Sequence, residues 1–461
     1  MKQKQQFVSL LSSDQFTTPD PRRMFGKKDS PGRHRGPVFF GMEAYSIIAV
    51  ALIIASLGAL INKRFIRVSS ESIGLLLGGL VMAVALLIFE QFVPGTVDRI
   101  LRPVADLDFS VIVLDLLLGF LIFAGAYSSD TRSLSRERMP ILVFATIGIL
   151  ISTFAVGFLT KMTLDFVGIE VPLLHCLLFG ALISPTDPVA VLAILKGTAV
   201  PKSLQADIAG ESLLNDGVAV VVFTTIYFIA QSGAGGGAAG LGFSDVAMTF
   251  GREVLGGLVL GWIVGWLGIR AIKLAASSNI DVLITVALVM GGYAIAHYLE
   301  VSGPLAMVVS GLMISKVFDI AGSSKSEKEH LDVFWEALDS IFNAVLFSLL
   351  GLLLLSLSRN DYEGRYLLAC LLVIPVVLLS RLISLAFTIP LTSLRKTMGT
   401  KKAFLLTWGG LRGGISVALA LSLQEEMSKD IIVYLTYGVV VFSVVVQGLT
   451  IGKLVTKLGL K

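Results

Sequence analysis

Residues 183–190 read Ile-Ser-Pro-Thr-Asp-Pro-Val-Ala, and residues 408–416 read Trp-Gly-Gly-Leu-Arg-Gly-Gly-Ile-Ser. Each stretch lies inside a long apolar run, one in each half of the chain. Proline removes a helix donor and glycine weakens helical order, so both runs are predicted to be broken helices. Free backbone groups at such breaks are tolerated in a membrane only around a buried site or cavity. Paired breaks in the two halves of a membrane protein therefore indicate inverted repeats and mark a binding site.

The composition indicates that a bilayer is the solvent of this chain. Of its 461 residues, 55% are hydrophobic and 15% charged, whereas a soluble domain carries about 25% charged residues. A net charge of +4 gives no reason to expect a nucleic-acid partner. The two cysteines lie in apolar runs and the four histidines lack metal-ligand spacing, so we expect no cofactor. Without a Walker-type phosphate loop, the sequence predicts neither an ATP-driven pump nor an enzyme.

Apolar runs long enough to span a bilayer, which takes about 20 helical residues, recur along the chain. They begin at residue 43, after a polar tail over 1–42 that we expect to be disordered. The predicted fold is an all-α polytopic membrane domain over 43–461, with inverted repeats and two broken, crossing helices. About thirteen spans are predicted, near 43–61, 72–90, 108–127, 140–160, 172–195, 207–231, 246–270, 279–298, 303–316, 333–357, 366–389, 403–423 and 431–452.

Basic residues are sorted by the side of the membrane. Twenty of the 37 Lys and Arg residues lie in or beside links after odd-numbered spans or in the C-terminal tail, and seven lie in or beside links after even-numbered spans. The positive-inside rule places the first set, and the C-terminus, in the cytoplasm. The first span then enters from outside, and the Gly-rich link 232–244 is an outer connector between the two halves.

An ionised group inside a predicted span is unfavourable and usually faces a bundle interior, and five such charges stand out. Asp187 and Arg412 lie at the two breaks, where half-helix ends carry about half a unit charge of either sign. We interpret both residues as groups that offset these dipoles, with direct cation binding by Asp187 as the alternative. The five charges are Asp187, Glu211, Asp216, Arg381 and Arg412.

The sixth span carries the chemistry. Ser212 and Asp216 are four residues apart and share a helix face, and Glu211 and Asn215 share the next face. A carboxylate beside hydroxyl and carbonyl oxygens suits a hard cation such as Na⁺. Because burial disfavours the ionised form of a carboxyl, the same group can carry a proton when the cation leaves. We interpret Asp216 as the functional acid and Glu211 as a structural partner of Arg381.

With these residues the chain resembles the monovalent cation:proton antiporter-1 family, the sodium/proton exchangers, in a bacterial-type form. The resemblance extends from about residue 43 to the C-terminus. It is carried by Ser-Pro-Thr-Asp-Pro-Val-Ala at 184–190, Gly-Glu-Ser-Leu-Leu-Asn-Asp at 210–216, Val-Ser-Gly-Pro-Leu-Ala at 301–306, Phe-Trp-Glu at 334–336, Asn-Ala-Val-Leu-Phe at 343–347 and Trp-Gly-Gly-Leu-Arg-Gly at 408–413.

The resemblance implies an antiporter that exchanges a cation, Na⁺ or else Li⁺ or K⁺, for a proton by alternating access at Asp216. The family's Asn-Asp pair falls on Asn215 and Asp216 and is associated with electroneutral exchange. Its site serine falls on Ser212 and its unwound-helix threonine on Thr186, so Asp216, Ser212 and Thr186 are the implied Na⁺ ligands. The implied role is sodium transport and pH homeostasis at the bacterial inner membrane.

The resemblance also implies a buried acid–arginine pair at Glu211 and Arg381, and a homodimer within the lipid membrane. A mobile core domain then moves against a dimer domain. The implied core helices cover about 140–231 and 366–456, and the implied dimer helices cover about 43–127 and 246–357.

One position departs from the family pattern. Many members have an acidic residue in the third span, in a stretch that here reads Ile-Phe-Ala-Gly-Ala at 122–126, so that Ala124 stands in its place. Asp115 lies nine residues earlier, more than two helical turns away, and does not take over that role. The choice among Na⁺, K⁺ and Li⁺ stays open on the sequence.

Three other functions were weighed: a cation channel or facilitator, a cation-coupled organic solute carrier, and a non-transporting sensor with the same fold. A channel needs a continuous pore lined for rapid exit, whereas one deep carboxylate between broken helices suits stoichiometric carriage. An organic solute needs a roomier cavity, and the complete set of site residues argues against a sensor. Asn343 is predicted to face the core or the ion, and Asp339 to be a solvated charge near a helix end.

Overall fold

Every regular element in the described part of the chain is helical, as the sequence predicts. The described residues all belong to one unit of the chain, Ala44–Lys461. The predicted disordered tail over 1–42 lies outside them. The computed structural model describes residues 49, 52–53, 55–60, 62–66, 71–95, 112–188, 191–192, 202–234, 243–275, 277–320, 325–357, 364–392 and 400–459.

The α-helices of these ranges are numbered in chain order. They are α1 (Glu71–Phe92), α2 (Leu118–Tyr127), α3 (Thr131–Arg136), α4 (Arg138–Val143), α5 (Ile149–Val167), α6 (Leu173–Ile183), α7 (Lys202–Ala234), α8 (Phe243–Ala275), α9 (Ser278–Tyr298), α10 (Gly303–Ile320), α11 (Lys325–Leu357), α12 (Gly364–Thr388), α13 (Thr400–Trp408), α14 (Gly414–Leu421), α15 (Lys429–Phe442) and α16 (Gly448–Lys457). Four π-helical segments adjoin them, at Asn62–Ile66, Ile112–Leu117, Phe144–Gly148 and Ser443–Gln447.

Eight helices in the described ranges are long and apolar enough to cross a membrane. Three shorter apolar helices accompany them, at Leu118–Tyr127, Leu173–Ile183 and Gly303–Phe318. The predicted total of thirteen stays a prediction, because most of the first span and parts of others lie outside the described residues. The eight are Ile73–Phe92, Arg138–Val167, Ile208–Ser232, Ser244–Ala275, Ser278–Tyr298, Lys328–Gly351, Gly364–Leu391 and Lys429–Lys457.

The two predicted helix breaks are present. Helix α6 ends at Ile183 and residues 184–188 are not helical, because Pro185 and Pro188 each lack a backbone donor. Helix α13 ends at Trp408 and α14 begins at Gly414, with a glycine-rich non-helical segment between them. The sequence placed both interruptions correctly because proline and glycine clusters act locally on the helix.

Buried apolar side chains form two large clusters. The first joins α5, α6, α7 and α12 to α16, and it also takes in residues of α1 and α11. The second joins α2, α8, α9 and α10 around Trp335 of α11. The Trp335 ring lies 4.6 Å from the Phe123 ring at an angle of 49°, and its Nε1–H donates to Thr285 Oγ1. The predicted division into core and dimer helices stays a prediction. The first cluster contains most of the predicted core helices, and the second contains most of the predicted dimer helices.

Helix α5 exposes an apolar stripe on the face away from its packing partners. Phe154, Phe158, Met162 and Phe166 follow one another at intervals of four residues and are all exposed. In water such a face would favour aggregation, whereas hydrocarbon is its natural surroundings. The stripe is therefore consistent with a helix that borders lipid.

Helices α5 and α6 approach so closely that only glycine fits at one contact. A Cβ built on Gly180 would overlap the Thr153 carbonyl oxygen and lie 3.1 Å from the Gly157 backbone nitrogen. Small residues allow such close backbone approach between membrane helices. Because the obstacle is backbone, no side chain can rotate away from a larger residue.

We expect Gly180→Ala to destabilise the fold by about 1–3 kcal/mol, the usual range for overpacking. The measurement is the melting temperature of the detergent-purified protein. Gly291→Ala is the matched control, because nothing lies within 4 Å of a Cβ at that helical position. Equal melting temperatures for the two variants would contradict the predicted close contact.

Candidate functional site

The two non-helical segments touch each other. The Asp187 backbone N–H donates to the Leu411 carbonyl oxygen at 2.7 Å, so the break after α6 is tied directly to the break before α14. Gly410 of the second segment lies against Thr186 of the first segment and against Arg381 of α12, since a Cβ built on it would be 3.2 Å from Thr186 and 3.3 Å from Arg381. We call the contact of residues 184–188 with residues 409–413 the crossing. At the crossing, backbone and side chains from distant parts of the chain lie close together.

Arg412 and Asp187 lie at opposite kinds of helix end. The buried Arg412 guanidinium donates from Nη1 to the carbonyl oxygens of Ser184 and Pro185, just past the C-terminal end of α6. The Asp187 carboxylate lies next to the start of α14, where a Cβ on Gly413 would be 2.7 Å from its Oδ2. A cation at a helix C-terminus and an anion at a helix N-terminus both offset the helix dipole.

A π-helical segment supports the second break from behind. Ser443 Oγ accepts a hydrogen bond from the Arg412 backbone N–H at 2.9 Å, and Gln447 Nε2 donates to the Trp408 carbonyl oxygen at 2.8 Å. Both side chains lie within Ser443–Gln447, and both are buried. These bonds satisfy backbone groups that the missing helix leaves free. The sequence reasoning did not identify either residue, although a glutamine within an apolar run was a usable signal.

Polar side chains of the first break and of α7 form one buried network. Thr186 Oγ1 and Ser212 Oγ lie 3.1 Å apart, and Asn215 Nδ2 donates to Thr186 Oγ1 at 2.9 Å. All three residues are buried, and Asn215 is fully so. The Asn215 Oδ1 atom is buried and has no hydrogen-bond partner among the described residues. An unsatisfied buried carbonyl oxygen is unfavourable, so this atom is available to a cation or a bound water.

Asp216 follows Asn215 on α7 and is half-buried. Within the described residues no hydrogen bond or ion pair to its carboxylate is formed, and Asp187 is near enough to interact with it electrostatically. The Asp216 carboxylate is therefore available to bind an ion next to the network of Thr186, Ser212 and Asn215. Such an oxygen-rich set suits a small hard cation.

Glu211 and Arg381 form an ion pair between α7 and α12. Arg381 Nη1 lies 2.5 Å from Glu211 Oε1, and the two side chains are only 5% and 4% exposed. The structure thus brings together the pair that the sequence proposed. With the counter-charge supplied by Arg381, Glu211 is not open to a cation in the way that Asp216 is.

A model of the family described as "Sodium/hydrogen exchanger, transmembrane" matches residues 50–457. The chain belongs to the sodium/hydrogen exchanger family. The exchanger is 40% identical over 427 residues to the Na(+)/H(+) antiporter NhaP of Pseudomonas aeruginosa, covering 89% of this chain and 96% of the relative. It is 30% identical over 419 residues to the Na(+)/H(+) antiporter NhaH of Halobacillus aidingensis, covering 90% and 96%. The predicted cation:proton antiporter is confirmed, and the family is one of transporters.

The fold of the exchanger is that of a solved antiporter. The structure of the sodium proton antiporter MjNhaP1 from Methanocaldococcus jannaschii at pH 8 superposes with a TM-score of 0.71 at 20% sequence identity. The match covers 91% of this chain and 99% of the other. The predicted sodium/proton antiporter fold is confirmed by this likeness.

Asp339 of the exchanger lies nearer the crossing than the sequence suggested. It is half-buried on α11 and close enough to Asp187 to interact electrostatically, whereas we had expected a solvated charge. One turn further along, the buried Asn343 donates from Nδ2 to the Asp339 carbonyl oxygen at 3.0 Å. The packing of α11 against the crossing partly buries Asp339. The sequence of α11 alone does not show that Asp339 lies near Asp187.

The position of the missing family acid is filled by packing. Ala124 of α2 is only 2% exposed and belongs to the second apolar cluster. The next residue, Gly125, faces Leu213 of α7, since a Cβ there would be 3.7 Å from Leu213 Cδ1. Helix α2 thus meets the site helix through apolar side chains at this level.

Proposed function

We propose that this exchanger carries Na⁺ and H⁺ in opposite directions, one for one, by binding either ion at Asp216. The observation that supports this most directly is the Asp216 carboxylate itself. It is half-buried beside the crossing and has no hydrogen bond or ion pair within the described residues. A carboxylate so placed can take one cation or one proton in turn.

The charges around the crossing support an electroneutral cycle. Glu211 is neutralised by Arg381, and the Arg412 guanidinium is held by carbonyl oxygens at the end of α6. Asp187 lies against the positive end of α14. Among Glu211, Asp187 and Asp216, it is then Asp216 whose charge changes with loading. Since Na⁺ and H⁺ each cancel one negative charge, the loaded carrier has the same charge in both directions.

The proposed cation ligands are Asp216, Ser212 and Thr186. The hydroxyl groups of Ser212 and Thr186 lie 3.1 Å apart, and the unpartnered Oδ1 of Asn215 adds a carbonyl oxygen to the same network. Oxygen donors of this type suit Na⁺ and Li⁺, and suit K⁺ in a wider arrangement. The naming of relatives as Na(+)/H(+) antiporters favours Na⁺.

The same proposal includes the setting of the transporter. The exchanger lies in a bacterial inner membrane as a homodimer, with a cytoplasmic C-terminus and a first span that enters from outside. Its core helices move against its dimer helices, and transport serves sodium extrusion and pH homeostasis. The two apolar clusters, joined by few shared side chains, give the physical basis for two bodies that move relative to each other.

The test uses purified protein in proteoliposomes that contain a pH-sensitive dye. Gradients of Na⁺, Li⁺ and K⁺ are imposed in turn, with and without clamping of the membrane potential. We expect a Na⁺-driven pH change that the clamp does not alter. A pH change that collapses or accelerates under the clamp would contradict electroneutral exchange.

The other functions predict different results in the same vesicles. A channel gives single-channel current in planar bilayers, which a carrier does not. A sensor gives no ion-driven pH change from folded, inserted protein. A cation-coupled organic solute carrier moves its coupling cation only when its organic substrate is present, so it gives no Na⁺-driven pH change in these vesicles. Any of these outcomes would replace the proposed exchange.

A further inference from the structure

A further acidic side chain lies inside a membrane-crossing helix, away from the crossing. Glu253 is half-buried on α8, within the membrane-crossing stretch Ser244–Ala275. Thr224 of α7 donates from Oγ1 to Glu253 Oε2 at 2.8 Å. An ionisable side chain in a membrane span usually marks an ion or proton pathway, because its burial is otherwise unfavourable.

Glu253 is placed along the helix that carries Asp216. Thr224 is eight residues after Asp216 on α7, which corresponds to about 12 Å along the helix axis. Both helices pack on α10 at one residue, since Cβ atoms built on Gly217 of α7 and Gly257 of α8 would lie 2.8 Å and 3.3 Å from Leu305. In the proposed orientation α7 runs from the cytoplasm outward, so Glu253 lies on the outer side of Asp216.

Within the described residues, no ion pair neutralises the Glu253 carboxylate. Arg252, the next residue, pairs with Glu300 at 3.0 Å and donates to the Leu299 carbonyl oxygen, and both Arg252 and Glu300 are largely exposed. Ser302 meets Glu253 only through the backbone, donating its N–H to the Glu253 carbonyl oxygen. In the described part of the chain, the Glu253 carboxylate thus accepts a hydrogen bond from a neutral hydroxyl, which can orient the group without cancelling its charge.

We propose that Glu253, oriented by Thr224, is an outer binding station that receives the cation before it reaches Asp216. The proposal rests on the proposed function and adds that the apparent affinity for the cation is set differently on the two sides of the membrane. A negative charge in a low-dielectric cleft raises the local concentration of cations and their rate of arrival. Glu253 therefore acts on the apparent affinity for the cation from the outer side, and not on the exchange step at Asp216.

The test compares KM for Na⁺ on the two sides, using right-side-out and inside-out vesicles of the full chain. Wild-type exchange and its loss in Asp216→Asn are measured first, so that failure of the proposed function is recognised separately. We expect Glu253→Gln to raise the outer KM about tenfold with little change in maximal rate, and to leave the inner KM unchanged. Gln keeps an acceptor for Thr224, so the hydrogen bond is preserved and only the charge is lost.

Two further variants separate this role from a structural one. Glu426→Gln removes an exposed acid that the proposed orientation also places on the outer side, and it is expected to leave the outer KM unchanged. An equal rise would reduce the effect to diffuse surface charge and overturn the proposal. Thr224→Val removes the hydrogen bond and keeps the charge. If Thr224→Val slows exchange while Glu253→Gln behaves as wild type, the contact only holds α7 against α8 and the proposed binding station is wrong.

Glu253→Asp covers the case in which Glu253→Gln folds poorly. It is expected to fold and to keep the outer KM within a few-fold of wild type. A tenfold rise in the outer KM of Glu253→Asp would count against a role for charge.

Discussion

Asp216→Asn is expected to reduce cation-driven proton movement to the level of protein-free liposomes. The amide keeps the shape of the side chain but neither binds a proton nor carries the charge that a cation must neutralise. The carboxylate has no ion pair within the described residues, so its loss leaves no buried counter-charge behind. The variant should therefore fold and insert normally, with a melting temperature close to that of the wild type.

The matched control is Asp165→Asn, the same chemical change at the end of α5. Asp165 is 49% exposed and pairs with Lys161 four residues earlier. Exposed pairs of this kind contribute little to stability, so Asp165→Asn should exchange at the wild-type rate. Exchange by Asp216→Asn at a substantial fraction of the wild-type rate would remove Asp216 from the centre of the mechanism.

The sequence was most informative where local chemistry decides the structure. Proline and glycine interrupt a helix wherever they lie, so both breaks could be placed to within a few residues. Intramembrane charges are rare enough to be conspicuous, so the Glu211–Arg381 pair could be proposed although 170 positions separate its members. In both cases a strong local penalty narrows the arrangements that can fold.

The sequence was least informative where packing between distant helices decides. Ser443 and Gln447 support the second break through a π-helical segment, and a change of helical register is not visible in an apolar run. Asp339 was expected near water, but its helix brings it within reach of Asp187. The sequence gives no sign of a role for Glu253, because that role depends on its contact with Thr224 between α7 and α8.

The second large effect is expected at the buried ion pair. Glu211→Gln leaves the Arg381 guanidinium buried without its carboxylate, and breaking such a pair costs about 3–5 kcal/mol. We expect a clear loss of folded yield and of melting temperature in detergent, with a KM for Na⁺ in the surviving protein close to that of the wild type. A normal melt combined with a changed KM would instead place Glu211 among the cation ligands.

A double variant tests the physical cause of that loss. Replacing a whole buried pair by apolar residues of similar volume is often neutral or stabilising, because no charge is left uncompensated. Glu211→Leu combined with Arg381→Met should therefore melt at a higher temperature than either single variant. If the double variant is as unstable as Glu211→Gln alone, the pair stabilises the fold through shape and not through charge. A higher melting temperature of the double variant would confirm that Glu211 is held as the ionised partner of Arg381, which leaves Asp216 to change its charge during one-for-one exchange.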